Sequence, residues 1–227
     1  MNTTHPLLGL AYKEWLKLRY VVWLPFIAAL IVLFFAYSEM LGLKTGHGSI
    51  AIWRMIVFKE EIPFKHISYI PFISGILIAA AQWIPESLNK KIRLFFHLPV
   101  NPYKSLFLIL FVGVTVLLVI ACILSFGMYF VTSLFLPIEV ARLILLTILP
   151  WCIAGFIAYA VTAMFLIETH SLRRALYLLV GGVFIYALFK SETYGSYTNA
   201  LPYFALIAFA FLVAMFSVLD RIKRGNA

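Results

Sequence analysis

The sequence predicts an all-α integral membrane protein: six transmembrane helices, an N-terminal amphipathic interfacial helix, and a short cytoplasmic coupling helix between spans two and three. Three observations predict it. Apolar residues make up 64% of the 227-residue chain and charged residues 12%, against roughly 45–50% and about 25% in soluble domains. Such a chain has too little polar surface to cover a water-facing globule. Six stretches carry no Asp, Glu, Lys or Arg, and each can reach the ~20 residues a spanning helix needs. The stretches also lack the alternation of barrel strands, which leaves helices to satisfy the backbone in lipid. The organisation expected is a single transmembrane domain over 1–227.

The elements follow in order. Over residues 6–19, Leu8, Ala11, Tyr12, Trp15 and Leu16 fall on one helical face and Lys13 and Lys17 on another, the pattern of an interfacial entry helix. Its landmarks are Lys13, Trp15, Lys17 and Arg19. The first span is expected from Tyr20 to Ser38. An outer loop over 39–65 then holds an apolar segment, Ile50 to Phe58, placed on the membrane surface. Spans two to six are expected from His66 to Pro85, Ser105 to Ile138, Leu143 to Ile167, Ala175 to Phe189, and Thr193 to Leu219. The last is continuously apolar only from Ala200. The third run is too long for one plain span at ~1.5 Å per residue across a ~30 Å core, so it tilts or continues past the bilayer toward Pro137. In the short fifth span, Gly181 and Gly182 offer a close helix approach or a bend.

Charge orients the chain. With the N-terminus inside, twelve Lys and Arg fall on inner segments and six on outer ones (Lys44, Arg54, Lys59, Lys65, Arg142 and Lys190). The positive-inside rule therefore places both termini in the cytoplasm. The basic stretch before the first apolar run is long for a signal sequence, so cleavage is not expected. Cys122 and Cys152 sit inside apolar runs with no CxxC spacing and read as packing residues.

Several function classes lose support. No Asp, Glu, Lys, Arg or His lies in the interior of a span, whereas proton-coupled carriers and voltage sensors usually need ionisable groups at membrane depth. There is no GxSxG, HExxH or GxxxxGK[ST] motif. The run Glu168-Thr169-His170-Ser171 reads as a solvated turn, with Arg173 and Arg174 anchoring the next span. His47 and His66 share the outer loop with Glu39, Glu60, Glu61, Met40 and Met55. Donors of that kind suit a soft or borderline metal, but no pair has the short spacing of a metal site, and a surface loop is the favoured reading. No metal, catalytic or cofactor-binding residue is assigned, and the positive charge is ascribed to topology rather than nucleic acid.

The inner segment over 86–104 carries the most information. As a helix it places Leu88, Ile92, Phe95 and Phe96 on one stripe, with Lys90, Lys91 and Arg93 elsewhere. Pro99 then ends it, because the residue before a proline avoids the helical region. Spacing alone suits a helix that receives force from a cytoplasmic partner and an interfacial anchor equally well.

Glu86 at the end of span two, Leu94, the Leu98-Pro99-Val100-Asn101 turn and Lys104-Ser105-Leu106 match the pattern of ABC-transporter membrane subunits of the type-2 exporter family. The opening Lys13-Glu14-Trp15-Leu16-Lys17-Leu18-Arg19 is similar to that family's entry helix. One departure is that the family often has Gly-Thr-Leu in the short helix, where this chain has Asn89-Lys90-Lys91-Ile92. The resemblance implies a non-catalytic permease of the bacterial inner membrane, paired as a homodimer. Separate cytoplasmic ABC ATPase subunits would hold the ATP and Mg, and a periplasmic protein is a further candidate partner. It also implies that Glu86, Leu88, Asn89, Lys90, Lys91, Ile92, Arg93, Phe95 and Phe96 contact the ATPase. The alternative is a scaffold, mechanotransmitting or substrate-binding subunit that moves no free solute itself. The few polar span residues (Ser74, Gln82, Ser125, Thr132, Ser133, Thr147 and Thr162) suit a lipid-like, hydrophobic or peptide cargo better than a sugar or ion.

Overall fold

The computed structural model describes residues 6–53, 64–87, 101–190 and 193–223. Among them every regular element is a helix. They are α1 (Pro6–Leu18), α2 (Trp23–Trp53), α3 (Tyr69–Ser87, entered through a 3-10 turn Lys65–Ser68), α4 (Pro102–Ser133), α5 (Ile138–Ile167), α6 (Ser171–Phe189) and α7 (Leu201–Lys223). Six of them, α2 to α7, contain stretches long and apolar enough to cross a membrane. The chain is an all-α, multi-pass membrane protein in contact with the lipid bilayer.

Local chemistry sets the boundaries. Asn101 caps α4, its side-chain oxygen accepting the Tyr103 N–H at 3.0 Å. Pro102 opens the same helix, where its missing N–H costs nothing. Pro137 caps α5, and Glu139 stands in its first turn, favourable at the positive end of the helix dipole. Inside α5, Pro150 removes one backbone donor. One turn earlier, the Thr147 hydroxyl donates to the Leu143 carbonyl at 2.9 Å and accepts the N–H of Gly195 at 3.1 Å. Gly195 has φ +67°, and the far-side loop turns there.

The helix α5 is the centre. Of its span window 72% is buried, against 11% for α6, 17% for α7 and 22% for α2; those three present most of their surface to lipid. The closest helix pair is α3 with α5. A Cβ on Gly75 would stand 2.2 Å from the Gly155 carbonyl oxygen, and one on Gly155 would stand 2.6 Å from the Pro71 carbonyl oxygen. Small residues allow this approach, and packing rather than hydrophobicity holds helices together in lipid. Gly181 serves the same end against Val161, whereas Gly182 faces open space. Thus the Gly181-Gly182 pair gives one close approach.

Several boundaries differ from expectation; the last span, for example, begins at Leu201 rather than Thr193. The first spanning helix, α2, does not stop at Ser38 but continues to Trp53, so the start of the expected outer loop is helical. The remainder of that loop, 54–63, lies outside the described residues. The third span closes at Ser133 after 32 residues, about 48 Å at ~1.5 Å each. It therefore exceeds a ~30 Å core.

Candidate functional site at the terminal face of the bundle

Contacts sort the helix ends onto two faces. On one, α1 meets the end of α3, the start of α4 meets the end of α7, and the end of α5 meets α7. The first and last described helices, α1 and α7, both contribute to this terminal face. On the far face, Tyr37 of α2 lies 5.7 Å from Phe135 beyond α4, and Phe64 lies 6.5 Å from Tyr194, ring centre to ring centre.

The terminal face holds two buried carboxylate centres. At the first, Glu86 ends α3 with 4% of its side chain exposed, and its Oε1 accepts Lys13 Nζ at 2.8 Å and Lys17 Nζ at 2.6 Å. Lys17 also donates to Glu14 Oε1 at 2.6 Å. Glu14 is fully buried, and its second oxygen has no hydrogen-bond partner. Burial, the largest influence, raises the Glu14 carboxyl above its ordinary value, against the pull of Lys17. The entry helix is thus fixed to the root of the 86–104 segment by two lysines on one carboxylate oxygen. Its Leu8, Tyr12, Trp15 and Leu16 stay exposed, the apolar residues that the spacing placed on one face. The charged face turns inward onto α3.

At the second centre, Glu168 caps α5 with 1% of its side chain exposed. Arg173 stands 3.7 Å from one oxygen and Arg221 3.4 Å from the other. The Tyr177 hydroxyl reaches Glu168 Oε2 at 3.5 Å, Arg221 donates to that hydroxyl, and Arg174 Nε donates to the Glu168 carbonyl. The ends of α5, α6 and α7 are joined here. This corrects the reading of Glu168 as part of a solvated turn: Thr169, His170 and Ser171 are exposed, but Glu168 is not. A third tie joins α4 to α7, with the Tyr103 hydroxyl donating to Asp220 at 2.5 Å.

One polar node lies deeper. Tyr159 of α5 donates to Gln82 Oε1 at 2.7 Å, and Gln82 Nε2 donates to the Ile109 carbonyl of α4 at 3.1 Å. Gly113 makes room, since a Cβ there would stand 2.4 Å from both polar oxygens.

Of the expected site residues, the structure brings Lys13, Lys17 and Glu86 together. Trp15 is exposed, and Arg19 lies over the Tyr20 ring at 4.5 Å, apart from that cluster. Leu88, Asn89, Lys90, Lys91, Ile92, Arg93, Phe95 and Phe96 lie outside the described residues, as do Glu60 and Glu61. No group of three His, Cys, Asp or Glu fit to hold a metal occurs among the described residues. Sequence reasoning missed Glu14, whose i, i+3 spacing to Lys17 was the available signal. No family model, curated protein or solved structure matches the chain.

Proposed function

We propose that the chain is the membrane-spanning permease subunit of an ATP-driven, type-2-exporter-like ABC complex, paired with a second copy and moved by separate cytoplasmic ATPase subunits. In this reading the terminal face is cytoplasmic, the membrane is the bacterial inner membrane, and the chain itself is not an enzyme. One observation carries most of the support: the shared salt bridge from Lys13 and Lys17 to Glu86. A force delivered to the 86–104 segment would enter the bundle at Glu86. There α1 and α3 are held as one body, so a push becomes a tilt of helices rather than a local bend. The Glu168 centre would carry the same movement to α6 and α7, because packed elements respond as rigid bodies.

Lys90, Lys91 and Arg93 would dock an acidic cleft of the ATPase. The test is a tagged purification with candidate ATPases co-expressed, followed by an ATP hydrolysis assay. A stoichiometric ATPase is expected. Charge reversal at the three residues (K90E, K91E and R93E together) should release it while membrane insertion persists. Purification without an ATPase in several detergents, or binding unchanged by the reversal, would reject the proposal.

A second reading, a subunit that transmits mechanical work without moving a free solute, has one observation in its favour. The middle of the bundle is filled by large buried side chains, Trp151 and Tyr159 foremost. A single chain thus offers its packed centre to no solute, and any route belongs to an interface between copies.

A further inference from the structure

A lateral groove of about 510 Å³ opens between α3, α5 and α6. Its walls include Tyr69 and Phe72 of α3, Val161 of α5, and Leu178, Gly182 and Phe189 of α6. Phe189 lines the far end, its ring 5.9 Å from those of both Tyr69 and Phe72. From Leu178 to Phe189 the groove follows α6 through eleven residue-to-residue steps, about 16 Å at ~1.5 Å each. One half of a ~30 Å hydrocarbon core is about 15 Å. The groove therefore has the length of a single lipid chain in the far leaflet and opens sideways to it.

Its far-face mouth is charged. Lys65 stands one turn before Tyr69, and Lys190 directly follows Phe189; both are exposed. Among the described residues neither has an ion-pair partner. The positive-inside rule accounts for cations on the terminal face and offers no reason for two at this rim. A phosphate-bearing headgroup does, because an ammonium beside a phosphate forms a charge-assisted hydrogen bond. Gly182 fits the same picture: it lines the groove, and a Cβ there would meet no atom within 4 Å. The absence of a side chain at 182 keeps the groove open without serving helix packing.

We infer that this groove is a binding site for one chain of an anionic phospholipid of the far leaflet, with Lys65 and Lys190 holding its headgroup. The inference does not rest on ATPase coupling, since lipid retention is read on this chain alone.

The experiment reconstitutes the full chain in nanodiscs of equal phosphatidylglycerol and phosphatidylcholine, releases it into mild detergent, and counts retained lipids by native mass spectrometry. The expected result is one phosphatidylglycerol per chain, favoured over phosphatidylcholine by at least about fivefold. Gly182→Phe, which fills the groove from an open position, should lower retention by about fivefold or more. Leu178→Trp, on the same helix near the groove's inner end, provides a second blocking variant should the first be poorly folded. Lys65→Gln with Lys190→Gln should keep a lipid bound but erase the headgroup preference. Equal retention in wild type and a folded groove-filling variant would overturn the site. A wild type with no headgroup preference would overturn the role of the lysines and, with it, the anionic assignment.

Discussion

Glu86 and Glu14 are two buried carboxylates within reach of the same lysine, yet they should respond to neutralisation in opposite senses. Glu86 accepts from two ammonium groups, and Lys17 is only 14% exposed. Glu86→Gln would leave Lys17 short of a partner beside Glu14, and breaking a largely buried pair costs roughly 2–4 kcal/mol. The expected outcome is a melting temperature several degrees lower and faster amide exchange over α1. Glu14 differs because half of its carboxylate is buried without a partner, so the charge itself is the burden. Its raised carboxyl means that its contribution to stability is fully present in acid and is lost as pH rises through the raised value. Glu14→Gln should therefore stabilise the protein, or leave it unchanged, at neutral pH and should flatten the loss of stability above the ordinary carboxyl range. Thermal melts of wild type and both variants across pH check both statements. A Glu14→Gln protein that is less stable at neutral pH would show that the Lys17 bond outweighs burial.

At the scale of the elements, the closest contact makes the sharpest prediction. Gly75→Ala would drive a methyl into the Gly155 backbone at 2.2 Å, where no flexible side chain can yield. Overpacking of this kind costs roughly 1–3 kcal/mol or more, read as a lower melting temperature or loss of the monodisperse protein. Gly182→Ala, in open space, should change nothing measurable. Tyr159→Phe, which leaves Gln82 Oε1 without its donor, should cost about 1 kcal/mol, the usual size of an interhelical hydrogen bond in lipid. The contrast shows what was legible in the sequence. Length and hydropathy located all six spans, because the bilayer imposes one thickness on them, and i, i+3 and i, i+4 spacing found the exposed apolar stripe of α1. Sequence could not say which face of each span turns inward. Leu124 of the core and Phe126 of the lipid surface differ in burial, not in chemistry. Nor could it foresee that α2 runs on to Trp53, since Glu39, Lys44 and the glycines break the apolar run without breaking the helix. Glu168 was misjudged for a related reason: one of its ion-pair partners, Arg221, lies 53 residues away, and no local pattern records that.

For the whole molecule, an ion-paired terminal face and a far face joined by aromatic contacts form an asymmetric bundle. Among the described residues, the helix-joining ties at Glu86, Glu168 and Asp220 all lie at the terminal face. A machine driven from one side of the membrane would concentrate its stiffness there, which is why orientation is the property on which the functional proposal most depends. In the proposed orientation six crossings put both ends of the chain on one side, and the positive-inside rule makes that side the cytoplasm. Single cysteines placed on a Cys122→Ala, Cys152→Ala background test the assignment, using two exposed loop positions, Thr169 at the terminal face and Asn199 at the far face. Asn199→Cys should react with a membrane-impermeant maleimide added to intact cells, and Thr169→Cys only after permeabilisation. The reverse pattern would turn the Glu86 and Glu168 centres outward. It would remove the chain from any ATP-driven mechanism and place Lys65 and Lys190 on the cytoplasmic leaflet. The lipid groove itself survives that reversal, although the positive-inside rule would then account for Lys65 and Lys190. The permease proposal does not, so the labelling experiment separates the two.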